Sequence, residues 1–256
     1  MAEAPPFIRL HNVKKVYRSR GEEHVAISDV TLEVPMGALL SLVGPSGCGK
    51  TTLMKILAGL HPHDEGTVTI GSAEAPFDPH RDVGMLFQQA LLLKWRKIID
   101  NVLLPAEILG LPRAASRERA RDLLNLVGLA GSEDKYPYEL SGGMQQRVAL
   151  ARALVHDPKL ILMDEPFGAL DALTREKMGL ELHRIWRESH KTIVFITHSI
   201  QEAVFLGTDV AVLTAGPARM ADRFKIDLPI PRTLDMRNQE AFGAYSRRIY
   251  QLLGME

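Results

Sequence analysis

The chain is short of cysteine. Among 256 residues only Cys48 is present. No intrachain disulfide can form, and the composition suits a reducing compartment. Long hydrophobic runs are also missing. No apolar stretch approaches the roughly 18–20 residues needed to span a bilayer, and Met1 to Pro6 lacks the basic-then-apolar pattern of a signal peptide. There is no charge excess of either sign: Lys plus Arg and Asp plus Glu both total 31. That balance argues against a broad nucleic-acid footprint. Neither an internal repeat nor a low-complexity segment is found. These absences predict a soluble cytoplasmic protein with room for one large or two small domains. Such a protein can still dock on a membrane protein.

What is present begins with Gly44-Pro45-Ser46-Gly47-Cys48-Gly49-Lys50-Thr51. It fits a phosphate-binding loop: Gly, four residues, Gly-Lys-Ser/Thr. Ala38 to Val43 ahead of it reads as a buried strand. Thr52 to Ala58 behind it reads as a helix closed by Gly59. Glycines let successive backbone N–H groups turn inward around a polyphosphate, and a helix N-terminus adds partial positive charge. Lys50 can reach the β- and γ-phosphates, and the Thr51 hydroxyl can ligate Mg²⁺. The pattern predicts a nucleoside triphosphate site.

Phe7–Tyr17 and Val25–Val34 read as a hairpin around the polar turn Ser19–Glu23. Thr67–Ile70 and Val83–Phe87 are further strands, and Ala73 to Asp82 a loop. From about Ile98 to Ala153 the pattern turns helical: Ala114–Val127 ends at Gly128, and a helix from Ser141 runs to Leu154. Leu160–Met163 and Thr192–Ile196 are strand-length apolar runs separated by a helical span, Leu173–Ser189. Val210–Thr214 reads as a strand and Phe242–Leu253 as a terminal helix. Helix alternating with buried strand predicts a parallel sheet with crossovers.

Leu160 to Met163 ends in Asp164-Glu165, which places one carboxylate near the metal, through water, and the next beside the γ-phosphate. In Leu140-Ser141-Gly142-Gly143-Met144-Gln145-Gln146-Arg147, a serine and two glycines open a helix, a second anion site of hydroxyl and backbone N–H groups. Together with Leu162-Met163-Asp164-Glu165-Pro166, Gly168-Ala169-Leu170-Asp171 and Thr197-His198, in this order and spacing, the set resembles the ATPase subunit of ATP-binding cassette (ABC) transporters over essentially the whole chain. Phe87-Gln88, Pro166–Asp171 and Glu202-Ala203-Val204-Phe205-Leu206 resemble the nitrate/sulfonate/taurine importer branch.

The resemblance implies an α/β fold: a P-loop NTPase (RecA-like) core, an N-terminal antiparallel β subdomain and an inserted α-helical subdomain. A single ATPase domain would span 7–240, with 90–157 as the insert carrying the serine–glycine motif and 217–256 as a short C-terminal extension. It implies ATP and Mg²⁺ as ligands. Gly44 to Thr52 would hold the nucleotide, and Tyr17 would stack on adenine. Gln88, preferred to Gln89, would contact Mg²⁺ and the attacking water. Thr51 and Asp164 would complete the metal site. Glu165 would be the general base, and His198 would hydrogen-bond the γ-phosphate. Ser141, Gly142 and Gly143 would bind ATP held by a second subunit in a head-to-tail dimer coupled through Asp171.

Implied partners are integral-membrane permease subunits, a second copy or homologue, and an extracytoplasmic solute-binding protein. No nucleic acid is expected. The chain would sit peripherally on the cytoplasmic side of the cell membrane. Two positions depart from the family pattern. Lys94 stands where the importer branch commonly has proline, and Ser199 follows the histidine where aspartate is frequent. Trp95 reads as a groove contact or a core residue, and His61, His63 and Asp64 as a solvated turn. A soluble ABC ATPase serving iron–sulfur cluster assembly is the alternative, and a regulatory module without turnover is disfavoured by the intact Asp164, Glu165 and His198.

Overall fold

The computed structural model describes residues 6–19, 22–72, 76–168 and 170–255. The predicted turn residues Arg20 and Gly21, the start of the loop at Ala73, and Ala169 lie outside the described residues. The strands are β1 (Pro6–Ser19), β2 (Glu22–Pro35), β3 (Leu39–Val43), β4 (Glu65–Ile70), β5 (Val83–Leu86), β6 (Leu160–Asp164), β7 (Thr192–Thr197), β8 (Asp209–Leu213) and β9 (Ala218–Lys225). The α-helices are α1 (Lys50–Leu57), α2 (Pro79–Asp82), α3 (Ile98–Ile108), α4 (Arg113–Leu126), α5 (Gly142–Leu154), α6 (Ala172–Ser189), α7 (Ile200–Leu206) and α8 (Glu240–Leu252).

The strands form one sheet in the order β4-β1-β2-β9-β8-β3-β7-β6-β5. From β8 to β5 neighbours run parallel, as the alternation of helix and buried strand predicts. At the other end β1 pairs antiparallel with both β2 and β4. β9 joins the halves, antiparallel to β8 and parallel to β2. The central strands are apolar on both faces because both faces are covered. Successive residues therefore serve different cores. Leu39, Val43, Ile161 and Met163 pack with α3 to α8, whereas Leu40, Leu42, Leu160 and Leu162 pack with α1 and the antiparallel strands.

Three features differ from the sequence-based expectation. The 73–82 stretch ends in the short helix α2, capped by Asp78, which accepts from the His80 amide. α7 follows the histidine at residue 198, where no helix is predicted. The stretch after Gly216 opens with a strand inside the main sheet, where no strand is predicted, although it closes as expected with the terminal helix α8, whose Phe242 and Ile249 are buried.

α3, α4 and α5 lie between β5 and β6 in the chain and are tied back to the sheet. Gln146 of α5, almost fully buried, donates to the Phe87 carbonyl (3.0 Å). Arg152 donates to the carbonyls of Ala90 (2.6 Å) and Leu91 (2.8 Å). Buried Asn101 accepts from the Leu93 amide and donates to the Leu93, Arg96 and Lys97 carbonyls. Together these side chains fix residues 87–97, which form no regular structure of their own.

Candidate functional site

The site gathers at the C-terminal ends of the parallel strands, where α/β sheets bind ligands. Two glycines set the loop after β3. Gly49 adopts φ +111°, and a Cβ there would lie 2.6 Å from the Ala26 carbonyl oxygen. Gly44 leaves no more room, for a Cβ would meet the Leu213 carbonyl oxygen at 2.9 Å. Only glycine lets the loop lie flat between β2 and β8. Ser46 and Gly47 are exposed, and α1 begins at Lys50.

Lys50 is almost fully buried, its ammonium donating to the carbonyls of Gly44 (2.7 Å) and Pro45 (2.8 Å). It lies inside the loop that sequence assigns it, holding the loop's own oxygens. Cys48 is 1% exposed, tucked under the same turn. Tyr17, His24, Ser46, Gly47, Thr52 and Glu165 are among the walls of a cavity of about 260 Å³ over this loop. The Tyr17 hydroxyl stands 3.5 Å from Thr52 Oγ1, and the His61 ring meets Tyr17 edge-on at 6.0 Å. His61 thus belongs to the wall behind Tyr17. Asp64 accepts from the Val16 amide (2.7 Å), the chief reason its carboxyl titrates below the ordinary range. His24 on the cavity wall carries no motif and was not read from the sequence.

Two pairs close the site. The Thr51 hydroxyl donates to Asp164 Oδ2 at 3.0 Å across 113 residues of sequence. Burial raises the Asp164 pKa, Thr51 opposes that shift, and the neighbouring Glu165 charge adds to it. A half-buried carboxylate held up in this way, beside a hydroxyl, is a donor set that suits a hard cation. Among the described residues no group of three or more His, Cys, Asp or Glu side chains could hold a metal alone. The remaining oxygens would come from the phosphates of the nucleotide. In the second pair, Glu165 Oε2 and His198 Nδ1 are 3.1 Å apart. Glu165 takes a left-handed backbone, φ +44°, with its amide donating to the Ile196 carbonyl (3.0 Å). Such strain is characteristic of functional positions.

The serine–glycine motif lies elsewhere. Ser141 caps α5, its hydroxyl accepting from the Met144 amide (3.4 Å). Ser141 and Gly142 are exposed, and Gly143 faces Thr174 and Leu170. Asp171 caps α6, accepting from the Thr174 amide (3.0 Å), and hydrogen bonds from the Thr174 side chain and then its amide lower the Asp171 pKa. Gln88 is exposed, with its amide nitrogen beside Gly168. It lines a groove of about 650 Å³ with Leu91, Lys94, Tyr138, Gly142 and Gln145. Trp95 is 75% exposed, so it is no core residue, and it does not line that groove. Sequence reasoning missed Gln146 and Arg152 as the residues holding the Gln88 segment; the Gln145-Gln146 doublet was the available signal.

A family model described as ABC transporter matches residues 27–168. An uncharacterized ABC transporter ATP-binding protein, MJ0412 of Methanocaldococcus jannaschii, is 45% identical over 246 residues, 96% of this chain and 91% of that one. The taurine import ATP-binding protein TauB of Roseobacter denitrificans is 40% identical over 251 residues, covering 96% and 93%. TauB of Escherichia coli is 42% identical over 202 residues, 79% of each chain. Among solved structures, the dimeric bacterial ABC transporter cassette MJ0796 superposes with TM-score 0.74 at 34% identity, covering 87% of this chain and all of that one. A post-hydrolysis form of that cassette, bound to ADP and Pi, matches with the same score. With a phosphate loop, paired carboxylates at a strand end and relatives of this coverage, the chain belongs to the ABC transporter family, as an ATP-binding and ATP-hydrolysing subunit.

Proposed function

We propose that this subunit drives the import of a small anion or organic solute of the nitrate, sulfonate or taurine type. It would work as a head-to-tail dimer, beneath integral-membrane permease subunits, on the cytoplasmic face of the cell membrane. A solute-binding protein outside would deliver the cargo. The importer reading is supported by the TauB relatives, which match at 40% to 46% identity. In the geometry, the convergence of Thr51–Asp164 and His198–Glu165 on the phosphate loop carries the reading as an active ATPase. A binding module without turnover has no need of a strained carboxylate beside an imidazole.

In this reading Gly44 to Thr52 wrap the phosphates, and Lys50 exchanges its two carbonyl partners for phosphate oxygens. Tyr17 offers its ring to adenine. Thr51, Asp164 and, from the facing loop, Gln88 would hold Mg²⁺, which supplies charge neutralisation for phosphoryl transfer. Glu165 accepts the proton of the attacking water, worth about 10²–10⁴-fold. His198 orients Glu165 in the absence of nucleotide and turns to the γ-phosphate when ATP is bound. Ser141, Gly142 and Gly143 offer a hydroxyl and a helix N-terminus to ATP on the other subunit. Asp171 couples the two sites.

Residues 90–157 act as the helical insert that carries this motif, and residues 217–256 extend the ATPase domain. The groove beside Gln88 receives a cytoplasmic helix of the permease. Affinity purification from detergent-solubilised membranes tests the transport reading. A stoichiometric multi-span protein is expected in the eluate. Soluble partners alone, with ATPase activity intact, would favour the iron–sulfur assembly alternative.

A further inference from the structure

α7 starts two residues after His198 and has only seven residues. A helix this short has no stability of its own, so its position is set by the groups that grip it. At its start Thr197 Oγ1 donates to Glu202 Oε2 (2.6 Å), and the Glu202 amide donates to Ser199 Oγ (3.3 Å). Arg175 stands 3.5 Å from Glu202 and donates to the Leu170 carbonyl (2.9 Å). The helix that follows His198 is thereby tied to the loop that precedes Asp171.

The far end and outer face of α7 are held by the C-terminal segment. Arg232 is 4% exposed and donates to the carbonyls of Gly207, the residue ending α7 (3.0 Å), and Pro229 (3.1 Å). Among the described residues it forms no ion pair, and burial lowers its pKa. Burying a guanidinium without a counter-charge is costly; a buried methionine would fill the space more cheaply. What the cation supplies is a directed grip on two carbonyl oxygens. Arg237 lies 4.9 Å over the Phe205 ring of α7 and donates to Glu176 of α6 (2.7 Å). Phe242 and Ile249 of α8 share one core with Phe205 and Leu206.

We propose that residues 226–252 form a clasp in which Arg232 and Arg237 hold α7, and through it set His198 against Glu165. Both arginines are positioning residues for ATP hydrolysis. The inference rests on the role given to His198 above.

The test uses the purified full-length protein and the variants H198A, R237A, R237K, R232M and H198A/R237A. R237A should lower kcat about tenfold, as expected when a catalytic group is displaced by a fraction of an ångström. KM for ATP should stay within about twofold. R237K should restore most of the loss, and R232M should behave like R237A. H198A/R237A should turn over no more slowly than H198A. In histidine ring spectra, the peak that H198A removes should shift in R237A and return towards its place in R237K. An unmoved peak, an unchanged kcat in R237A, or additive losses in the double variant would overturn the clasp. H198A with wild-type turnover would instead remove the role of His198. A kcat loss in R237A on that background would then mean the clasp acts elsewhere, which also overturns the proposal.

Discussion

Asp164 and Glu165 are adjacent yet differently placed. Asp164 ends a strand, half-buried against Thr51, whereas Glu165 turns away in a left-handed backbone that side chains other than glycine adopt at a cost of about 1–2 kcal/mol. Glu165→Gly should therefore raise unfolding free energy by about 0.5–1 kcal/mol while depressing ATP turnover at least about a hundredfold. Chemical denaturation and a steady-state assay check both directions. His183 tells a different story. It is buried beside Trp186, and burial, aided by the charges of Arg232 and Arg187, pushes its pKa down to about 4.

An unfolded histidine titrates near 6.5. Because the folded value is the lower one, the neutral form is favoured in the fold. Stability is thus complete above about pH 6.5 and falls as pH drops towards 4, by about 3 kcal/mol in all. In His183→Gln that part of the acid sensitivity should vanish from pH-dependent melting curves. Cys48, at 1% exposure, should react with thiol reagents only when the phosphate loop opens. Modification should be far slower than for a free thiol and slower still with ATP bound, as followed by mass spectrometry.

At the scale of elements, much was legible because pattern and burial agree. β3, β6 and β7 are apolar on every residue but Ser41, Asp164, Thr192 and Thr197, and they are the buried parallel strands. α5 was legible from its cap. Ser141→Ala removes the bond to the Met144 amide and should cost about 1 kcal/mol of stability. In the proposed dimer it should cost ATP turnover besides, measurable in the same preparation. β9 was not legible. Its Arg219, Asp222 and Arg223 do not alternate as a half-buried strand would, and its place comes from backbone pairing with β2 and β8.

α7 escaped for another reason: seven residues are too few for a 3.6-residue period to show. In the site, motif spacing foretold the nearness of Thr51 and Asp164. Nothing in the sequence signals that Arg232 meets Gly207 or that Arg237 covers Phe205, since those contacts exist only after the C-terminal segment folds back. Truncation at residue 216 should consequently remove a strand from mid-sheet and yield insoluble protein. Truncation at 239 removes only α8 and should give a soluble protein of lower melting temperature.

For the whole molecule, one chain holds a phosphate loop on one face and the exposed serine–glycine helix start on another, and the proposed dimer brings each to its counterpart. In the proposed dimer Glu165 is the group on which this arrangement turns: ATP binding would close the dimer, and the carboxylate would permit the hydrolysis that opens it. The most direct test is Glu165→Gln, followed by sedimentation velocity with and without ATP and by an ATPase assay. The variant should remain monomeric alone, form a long-lived dimer with ATP, and hydrolyse at least about a hundredfold more slowly than the parent. Near-parental hydrolysis, or failure to dimerise while still binding ATP, would contradict the account.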